Sequence, residues 1–467
     1  MNKQKMGYLI LAFAVLFGII WLAPEAKGLS PAGKKAIAIA VFAIIIWISQ
    51  AVEDALSGLL IVFLLAALEA TKLDGAFSGY ANTSVWLIVI GFIMAGCMEK
   101  CGLSKRIALL LVNSAKGSAL KIYWAVALVM GVTSFLIPSI TARTLLMLPI
   151  ILGIGQAFGA KQGQSNIIKA LLFIVAMSGT MMSIGILTAH VGNPITTGLI
   201  AIATKHTVSW GEWLKIGFVP AFSLAAISVF IIQKMWAPEI KSLGTGQNYI
   251  QRELDALGQL TKEEKYTLVV FLLTLVFWAT DSFHKVNVVL VGVASVVLLL
   301  WPGAGVMPWK EAQQRVPWNV FVLYGAGLSM GSALVTSGAA KWLAGVMFGP
   351  ISPWTQAMQI ITLIWIATAL QIFFTGGGPK TTALTPIVIA HAVSIGADPT
   401  PFAIILGMNM QHQYLLPVSN MPNVVAVGTG QLTTAELMKT GAVMSLLAAA
   451  FMSVMVLTYW KWIGVVQ

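Results

Sequence analysis

Hydrophobic residues in this chain fall into long uninterrupted runs, and polar residues collect in the short stretches between them. Runs of this length predict helices that cross a lipid bilayer, and the alternating pattern of an outer-membrane β-barrel is absent. Because a few runs are too short or too broken to cross simply, we predict about eleven transmembrane helices. The runs cover residues 7–22, 35–51, 57–68, 85–98, 121–137, 167–186, 213–235, 266–280, 286–301, 318–335, 360–374, 401–410 and 442–465.

Composition leads to the same fold class, an all-α polytopic membrane protein. Of 467 residues, 58% are hydrophobic and only 9% are charged, too few charges to cover a soluble surface. The net charge of +12 is spread over many loops, which is typical of loops facing the cytoplasm and anionic lipid. The sequence has no basic cluster interleaved with aromatic residues, so we do not predict nucleic acid as a partner. Cys97 and Cys101 fit core positions better than a disulfide or metal site, and no motif indicates a cofactor.

Two segments each place one cation in apolar surroundings. The first reads Ser-Ile-Thr-Ala-Arg-Thr at 139–144, and the second reads Gly-Gly-Gly-Pro-Lys-Thr at 376–381. Counted from the Pro-Ile pair that follows each segment, Arg143 and Lys380 occupy the same position. A cation within hydrocarbon is costly, so it normally faces a cavity, a partner or a ligand. Two matched cations therefore predict one anion-binding site built from both segments.

The two segments belong to an internal repeat. Three residues of the first half recur in the second at one constant offset, namely Gly91, Gly102 and Lys105 as Gly327, Gly338 and Lys341. Interrupted segments at corresponding places in two halves indicate a transporter's binding site. We predict inverted-topology repeats over 1–236 and 266–467, joined by a polar cytoplasmic linker over 237–265. Each repeat would hold a re-entrant hairpin, near 138–150 and 375–387, and a broken helix, near 192–194 and 419–423.

The first hairpin tip offers hydrogen-bond donors for a carboxylate. Helix N-termini present N–H groups and a positive dipole end, and Ser139 and Thr141 add hydroxyl groups beside Ile140. Arg143 offers a planar fork for two carboxylate oxygens. Alternatively, the segment is an ordinary helix whose hydroxyl groups bond to its own carbonyls while Arg143 snorkels. The internal repeat favours the binding interpretation.

The second tip is rich in glycine, which lets a ligand approach the backbone closely. We assign Gly377, Gly378, Lys380 and Thr381 to substrate binding. The segment is similar to a phosphate-binding loop, but it lacks the preceding strand and the glycine directly before the lysine, so we reject nucleotide binding. A Gly-x-Ser-x-Gly pattern at 327–331 lies inside an apolar helix, so we do not predict an enzyme.

Asparagines mark both breaks. We assign Gly192 and Asn193 at the first break, and Asn420 and Pro422 at the second, to substrate binding. The amide groups could instead repair lost helical hydrogen bonds, and the sequence gives both roles equal weight.

These motifs, in their order and spacing, resemble those of the divalent-anion:sodium symporter family. The closest similarity is to the branch of bacterial dicarboxylate and citrate antiporters and plastid 2-oxoglutarate/malate translocators. The resemblance spans nearly the whole chain and is carried by residues 21–31, by 77–88 and by Pro-Ser-Ile-Thr-Ala-Arg at 138–143. It implies a homodimer in the cell inner (plasma) membrane, in contact with lipid, that works by an elevator-type alternating-access mechanism.

The chain departs from the family at its sodium-related positions. The family pattern at each tip is Ser-Asn-Thr, whereas Ile140 replaces the asparagine here. Sodium-coupled members carry a hydroxyl residue where Phe135 and Ile372 stand, and usually threonine where Arg143 and Lys380 stand. We therefore expect the two side chains to replace two sodium ions, with no metal site.

The resulting prediction is a secondary transporter that exchanges C4–C5 dicarboxylates, such as malate, fumarate, succinate and 2-oxoglutarate, without sodium coupling. The alternative is a sodium-coupled dicarboxylate or citrate symporter. A membrane hydrolase lacks an activated nucleophile beside a base, and a passive anion channel would show no countertransport. Sulfate and tartrate stay open as substrates.

Overall fold

A computed structural model describes residues 3–374 and 376–467. Residues 1 and 2 of the predicted first repeat, and residue 375 of the predicted second hairpin, lie outside the described residues. Within the described ranges the chain is helical, and its only β-type pairing is an isolated bridge between Ser118 and Ser242. The predicted all-α polytopic fold is confirmed.

Nine helices in the described ranges are long and apolar enough to cross a membrane. A tenth candidate is the pair Ala339–Ile351 and Gln356–Ile372, which is bent by 107° and is either a broken span or a re-entrant element. The nine are Lys3–Leu22, Pro31–Ser49, Leu73–Lys100, Ala119–Leu136, Ile140–Ala157, Asn166–Ile184, Trp210–Met235, Trp318–Thr336 and Thr434–Trp462.

The helices of the first half are α1 (Lys3–Phe17), α2 (Pro31–Ser49), α3 (Asp54–Ala67), α4 (Leu73–Phe77), α5 (Thr83–Lys100), α6 (Leu103–Asn113), α7 (Ala119–Leu136), α8 (Ile140–Ala157), α9 (Asn166–Phe173), α10 (Gly179–Ile184), α11 (Gly192–Thr204) and α12 (Trp210–Met235). The polar stretch that follows contains α13 (Thr245–Ala256).

The helices of the second half are α14 (Lys262–Ala279), α15 (Asp281–His284), α16 (Val288–Leu299), α17 (Trp309–Ala312), α18 (Trp318–Thr336), α19 (Ala339–Phe348), α20 (Gln356–Ala369), α21 (Gly377–Ser394), α22 (Pro399–Met410), α23 (Met421–Gly428), α24 (Thr434–Leu457) and α25 (Tyr459–Trp462).

Helix order repeats between the halves. Short helices α6 and α19 follow α5 and α18, and each begins after one of the two glycines that correspond in the internal repeat. Gly102 has φ +83° and Gly338 has φ +79°, a left-handed conformation that glycine adopts without steric cost. The series α7, α8, α9–α11 and α12 then corresponds to α20, α21, α22–α23 and α24. Hydropathy did not predict α6 because Lys105 and Arg106 interrupt its apolar positions.

The predicted hairpin tips coincide with helix ends, but the breaks begin earlier than expected. Helical structure stops at 137–139, and in the second half one helical segment ends at Ile372 and α21 begins at Gly377. The first break covers 185–191 and the second covers 411–420, so Gly192 and Met421 start new helices. Pro194 and Pro422 lie in the first turns of those helices, where the missing N–H of proline costs no hydrogen bond.

The polar linker is attached to the first half through its backbone and side chains. The Leu243 N–H donates to the Gly117 carbonyl at 2.8 Å. Helix α13 then packs on α6 and α8, with the Tyr249 ring against Gly153 of α8. Where α13 ends, Arg106 donates to both carboxylate oxygens of Glu264, at 2.6 and 3.0 Å, and to three backbone carbonyls at 257–259. The linker is therefore an ordered part of the fold.

Candidate functional site

Arg143 lies at the start of α8, in the first turn after the hairpin tip, and is fully buried. Its Nη2 donates to Ser183 Oγ in the last turn of α10 at 2.7 Å and to the Ala189 carbonyl in the first break at 2.9 Å. Its Nη1 donates to Ser134 Oγ and to the Met130 carbonyl on α7, and its Nε donates to the Ser139 carbonyl at 3.4 Å. These five hydrogen bonds equal the number of guanidinium N–H groups. The guanidinium thus occupies a cage of carbonyl and hydroxyl oxygens.

Lys380 occupies the matching position at the start of α21 and is also fully buried. Its ammonium group donates to the Ala367 carbonyl of α20 at 3.1 Å. That carbonyl is thirteen residues before Lys380, and the Met130 carbonyl is thirteen residues before Arg143. The two cations therefore make the same contact with the preceding helix of their hairpins, as a structural repeat requires.

Four helices begin at the tips and breaks. Helices α8 and α21 start after the two tips, and α11 and α23 start after the two breaks. Ser139 caps α8, since its hydroxyl oxygen accepts from the Ala142 N–H at 3.2 Å. Helix N-termini carry unpaired N–H groups and a positive partial charge, which favours anions.

Gln411 of the second break brings two of these helix starts together. A Cβ added to Gly192 would lie 2.0 Å from Gln411 Nε2, and one added to Gly377 would lie 1.9 Å from Gln411 Oε1. Gln411 Nε2 also donates to the Thr381 hydroxyl at 2.6 Å. The structure therefore places three predicted site residues, one from the first half and two from the second, around one side chain.

The remaining predicted residues take different positions. Ile140 is buried, and Thr141 is half-buried beside it. Gly378 packs against the Tyr324 ring, which explains why this position has no side chain. Asn420 is half-buried and donates to the Thr180 hydroxyl at 3.3 Å, which links the second break to α10. Pro422 is buried in the first turn of α23.

Asn423, which the sequence analysis did not select, is the structural counterpart of Asn193. Asn193 Nδ2 donates to the carbonyls ten and seven residues before it, at 3.2 and 2.8 Å. Asn423 Nδ2 donates to the carbonyls ten and seven residues before it, at 3.4 and 3.1 Å. Both amides thus repair the broken helix. Asn193 lies fifty residues after Arg143, whereas Asn423 lies forty-three residues after Lys380. Because these spacings differ, the sequence repeat did not pair the two asparagines.

Unpaired polar atoms concentrate at the breaks. Nine buried side-chain nitrogen and oxygen atoms have no hydrogen-bond partner within the described part of the chain, and seven belong to residues in or next to the breaks. Buried polar groups without partners are rare, so such a cluster indicates a place for a polar ligand or ordered water. The seven are Asn193 Oδ1, Asn409 Oδ1, Gln411 Oε1, His412 Nε2, Gln413 Nε2, Ser419 Oγ and Asn423 Oδ1.

Two buried histidines lie at the two breaks. His190 follows Ala189, whose carbonyl accepts from Arg143, and His190 Nδ1 accepts from the Gly192 N–H at 3.1 Å. His412 follows Gln411, and its Nδ1 is 2.6 Å from the Tyr414 hydroxyl. Both cations are completely buried, so neither lies on the lipid-facing surface.

Two cavities lie near the first tip and the first break. One of about 10 Å³ separates Pro138 of the first tip from Thr188 and His190 of the first break, with room for about one water molecule. The other, of about 640 Å³, shares Leu87 in its lining. Among the described residues, no cluster of His, Cys, Asp and Glu could hold a metal ion.

Residues 3–466 match the family model described as the sodium:sulfate symporter transmembrane region. The chain belongs to this symporter family. The match covers nearly the whole chain, so the resemblance to the divalent-anion:sodium symporters is confirmed. The family and the long apolar helices together identify an integral membrane protein of the transporter type.

The relatives of this chain include one protein named as a sodium-dependent transporter and one named as an antiporter. A sodium-dependent dicarboxylate transporter of Staphylococcus saprophyticus is 28% identical over 476 residues, covering 96% of this chain and 90% of the relative. An L-tartrate/succinate antiporter of Escherichia coli is 28% identical over 405 residues, covering 85% of this chain and 82% of the relative. A membrane protein of Cupriavidus necator is 29% identical over 482 residues, covering 99% and 94%.

The family member also shares its fold with a crystallised transporter. The YdaH transporter of Alcanivorax borkumensis, whose topology is described as unusual, superimposes with a TM-score of 0.62. The likeness covers 88% of this chain and 99% of YdaH at 12% sequence identity. At this identity the comparison establishes the fold alone.

Proposed function

We propose that this chain exchanges C4–C5 dicarboxylates, such as malate, fumarate, succinate and 2-oxoglutarate, across the cell inner membrane without sodium coupling. The observation that carries the proposal is the cage around Arg143. Three backbone carbonyls and two serine hydroxyls surround its guanidinium. Carbonyl and hydroxyl oxygens are the ligands of hard cations, so a fixed side-chain charge occupies a place suited to a metal ion.

Fixed charges favour exchange over net uptake. Arg143 stays protonated in proteins, so its charge remains when the substrate leaves. An empty carrier would then hold uncompensated positive charge within the membrane, which is costly. Return of the empty carrier would be slow, whereas return with a second dicarboxylate would be fast. Substrate would bind between the helix starts at the tips and breaks, near Ser139, Gly377 and Thr381.

We further propose an elevator-type movement of the hairpins and broken helices as one unit. Support comes from packing, because α21 contacts both α11 and α22. The unit would take one hairpin and one broken helix from each repeat, 1–236 and 266–467, while the other helices form a fixed scaffold. The two repeats would lie in inverted orientation, with 237–265 as a cytoplasmic linker. A homodimer is proposed from the family resemblance.

A sodium-coupled dicarboxylate symporter is the second candidate. It is favoured by the Staphylococcus saprophyticus relative, whose name states sodium dependence and which aligns with 96% of this chain. The unpaired Asn193 Oδ1 and Asn423 Oδ1 are also oxygen atoms of the kind that a sodium ion accepts as ligands.

Transport by purified protein in sealed vesicles separates the two candidates. Vesicles are preloaded with unlabelled malate, succinate or no acid, and uptake of radiolabelled malate is followed with sodium or choline as the only small cation. The proposal predicts uptake that requires internal dicarboxylate and is equal in both salts. Uptake that requires sodium would refute it in favour of the symporter, and sodium-independent uptake into empty vesicles would refute exchange.

A further inference from the structure

Gln411 lies at the centre of the site, and its side chain has no role in the proposed function. It is 1% exposed and lies between Gly192 of the first break and Gly377 of the second tip. These two glycines start α11 and α21, which belong to different halves of the chain. A group in this position contacts whatever occupies the space between the two helix starts.

The orientation of the Gln411 amide follows from its neighbours. The Thr381 hydroxyl donates its hydrogen to the Gly377 carbonyl at 2.8 Å, so its oxygen can only accept from Gln411. Gln411 Nε2 is therefore the atom at Thr381, 2.6 Å away. Gln411 Oε1 is left buried, without a hydrogen-bond donor in the described part of the chain. An amide oxygen only accepts, so it cannot pair with a carboxylate oxygen.

Gln413, two residues further on, offers the opposite group. Its Oε1 accepts from the Gly376 N–H at 3.0 Å, which fixes the amide orientation. Its Nε2 is buried and has no acceptor among the described residues. The two glutamines thus flank the second tip with an unused acceptor and an unused donor. A carboxylate with a hydroxyl on the neighbouring carbon carries both complementary groups, since its oxygens accept and its hydroxyl donates.

We infer that Gln411 and Gln413 select 2-hydroxy dicarboxylates, such as malate and tartrate, over dicarboxylates without a hydroxyl group. This inference rests on the proposed function. Gln413 Nε2 donates to the carboxylate, and Gln411 Oε1 accepts from the substrate hydroxyl. A site that is built to hydrogen-bond a substrate hydroxyl discriminates against the analogue lacking it, because its own buried group is then left unpaired.

The test compares acids that differ by one hydroxyl group. Uptake of labelled L-malate and labelled succinate is measured in vesicles preloaded with unlabelled succinate, and the ratio of their kcat/KM values is taken. The wild-type ratio is expected to favour malate by about tenfold or more. A ratio near one would overturn the inference while leaving dicarboxylate exchange standing, because it would mean that water satisfies Gln411. Absence of uptake of either acid would refute the proposed function itself.

A variant and a matched control locate the effect. Gln411→Met keeps the length of the side chain and removes the acceptor, so the ratio of the malate kcat/KM to the succinate kcat/KM should fall to about one, whatever loss the two acids share. Gln371→Met removes a buried amide oxygen that is already paired, with the Tyr414 N–H at 3.2 Å and the Ser445 hydroxyl at 3.0 Å. It should alter both acids by the same factor. Equal effects of Gln411→Met on both acids would contradict the inference. If Gln411→Met does not fold, the wild-type ratio still decides the inference.

Discussion

Replacing Arg143 by alanine gives the sharpest test of the cation cage. Arg143→Ala removes a buried charge and empties a cage formed by the oxygens of Met130, Ser134, Ser139, Ser183 and Ala189. A carboxylate that enters the site then lacks one of its two buried counter-charges. The five N–H groups of Arg143 are paired within the cage, so the carboxylate loses the attraction of a buried charge and no direct hydrogen bond. We expect a cost within the range of about 2–5 kcal/mol that removal of one partner of a buried charge pair carries. Since about 1.4 kcal/mol corresponds to a factor of ten, affinity should fall roughly 30-fold to several thousand-fold.

The effect on folding should be smaller than the effect on transport. The Ser134 and Ser183 hydroxyls donate to the Met130 and Gly179 carbonyls, so they keep a partner when Arg143 is removed. The Ala189 carbonyl loses the hydrogen bond from Arg143, which should cost about 1–3 kcal/mol. Removal of the buried charge offsets part of this cost. The thermal midpoint should therefore fall modestly.

The assay is counterflow of labelled malate in sodium-free vesicles, with thermal unfolding of the same preparation as the control for folding. Arg143→Lys keeps the charge but has three donors for five oxygens, so it should retain part of the activity. Sodium should partly restore transport by Arg143→Ala, because the emptied cage offers oxygen ligands to a hard cation. Wild-type exchange by folded Arg143→Ala without sodium would refute the reasoning, and Lys380→Ala should lose exchange in the same way.

Three further changes address the structure around the site. Asn423→Ala should destabilise the protein by about 1–3 kcal/mol, measured by thermal unfolding, because the buried Gln413 carbonyl and the partly buried Leu416 carbonyl lose their donor. An unchanged midpoint would exclude the repair role. Arg106→Ala should cost about 3–5 kcal/mol in unfolding free energy because the buried Glu264 carboxylate loses its cation and keeps the Thr261 N–H as a donor. Glu264→Gln in the same background should recover part of the loss. Gly153→Ala should displace the linker helix α13 and lower the thermal midpoint, since the new Cβ would lie 2.2 Å from the Tyr249 ring. Tyr249→Ala in the same chain should restore the midpoint. Failure of that rescue would contradict the contact.

Helix positions were predictable where hydropathy was uniform. The predicted run 318–335 matches α18, and the run 35–51 lies within a few residues of α2. Hydropathy did not predict helices α6 and α19, because Lys105 and Arg106 interrupt the apolar positions of α6 and Lys341 interrupts those of α19. Their packing against α7 and α21 stabilises them instead, and that packing is a tertiary property.

Part of the site could also be predicted, and part could not. The internal repeat identified Arg143 and Lys380, and the structure buries both completely. Asn423 was passed over for Asn420 because the spacing between cation and asparagine differs between the halves. Gln411 was not selected from the sequence, because the short polar run Gln-His-Gln at 411–413 is also compatible with a packing role.

The sequence by itself determined the membrane class, the existence of the helix interruptions and the presence of two matched cations, although it placed the two breaks several residues too far along the chain. These properties depend on local hydropathy, on proline and glycine, and on spacing within one chain. Only the tertiary structure decided what each cation contacts. Arg143 reaches Ser183 forty residues away and Ala189 forty-six residues away, and Gln411 reaches Thr381 thirty residues away. Such contacts arise when separate helices pack, and no local pattern of residues encodes them.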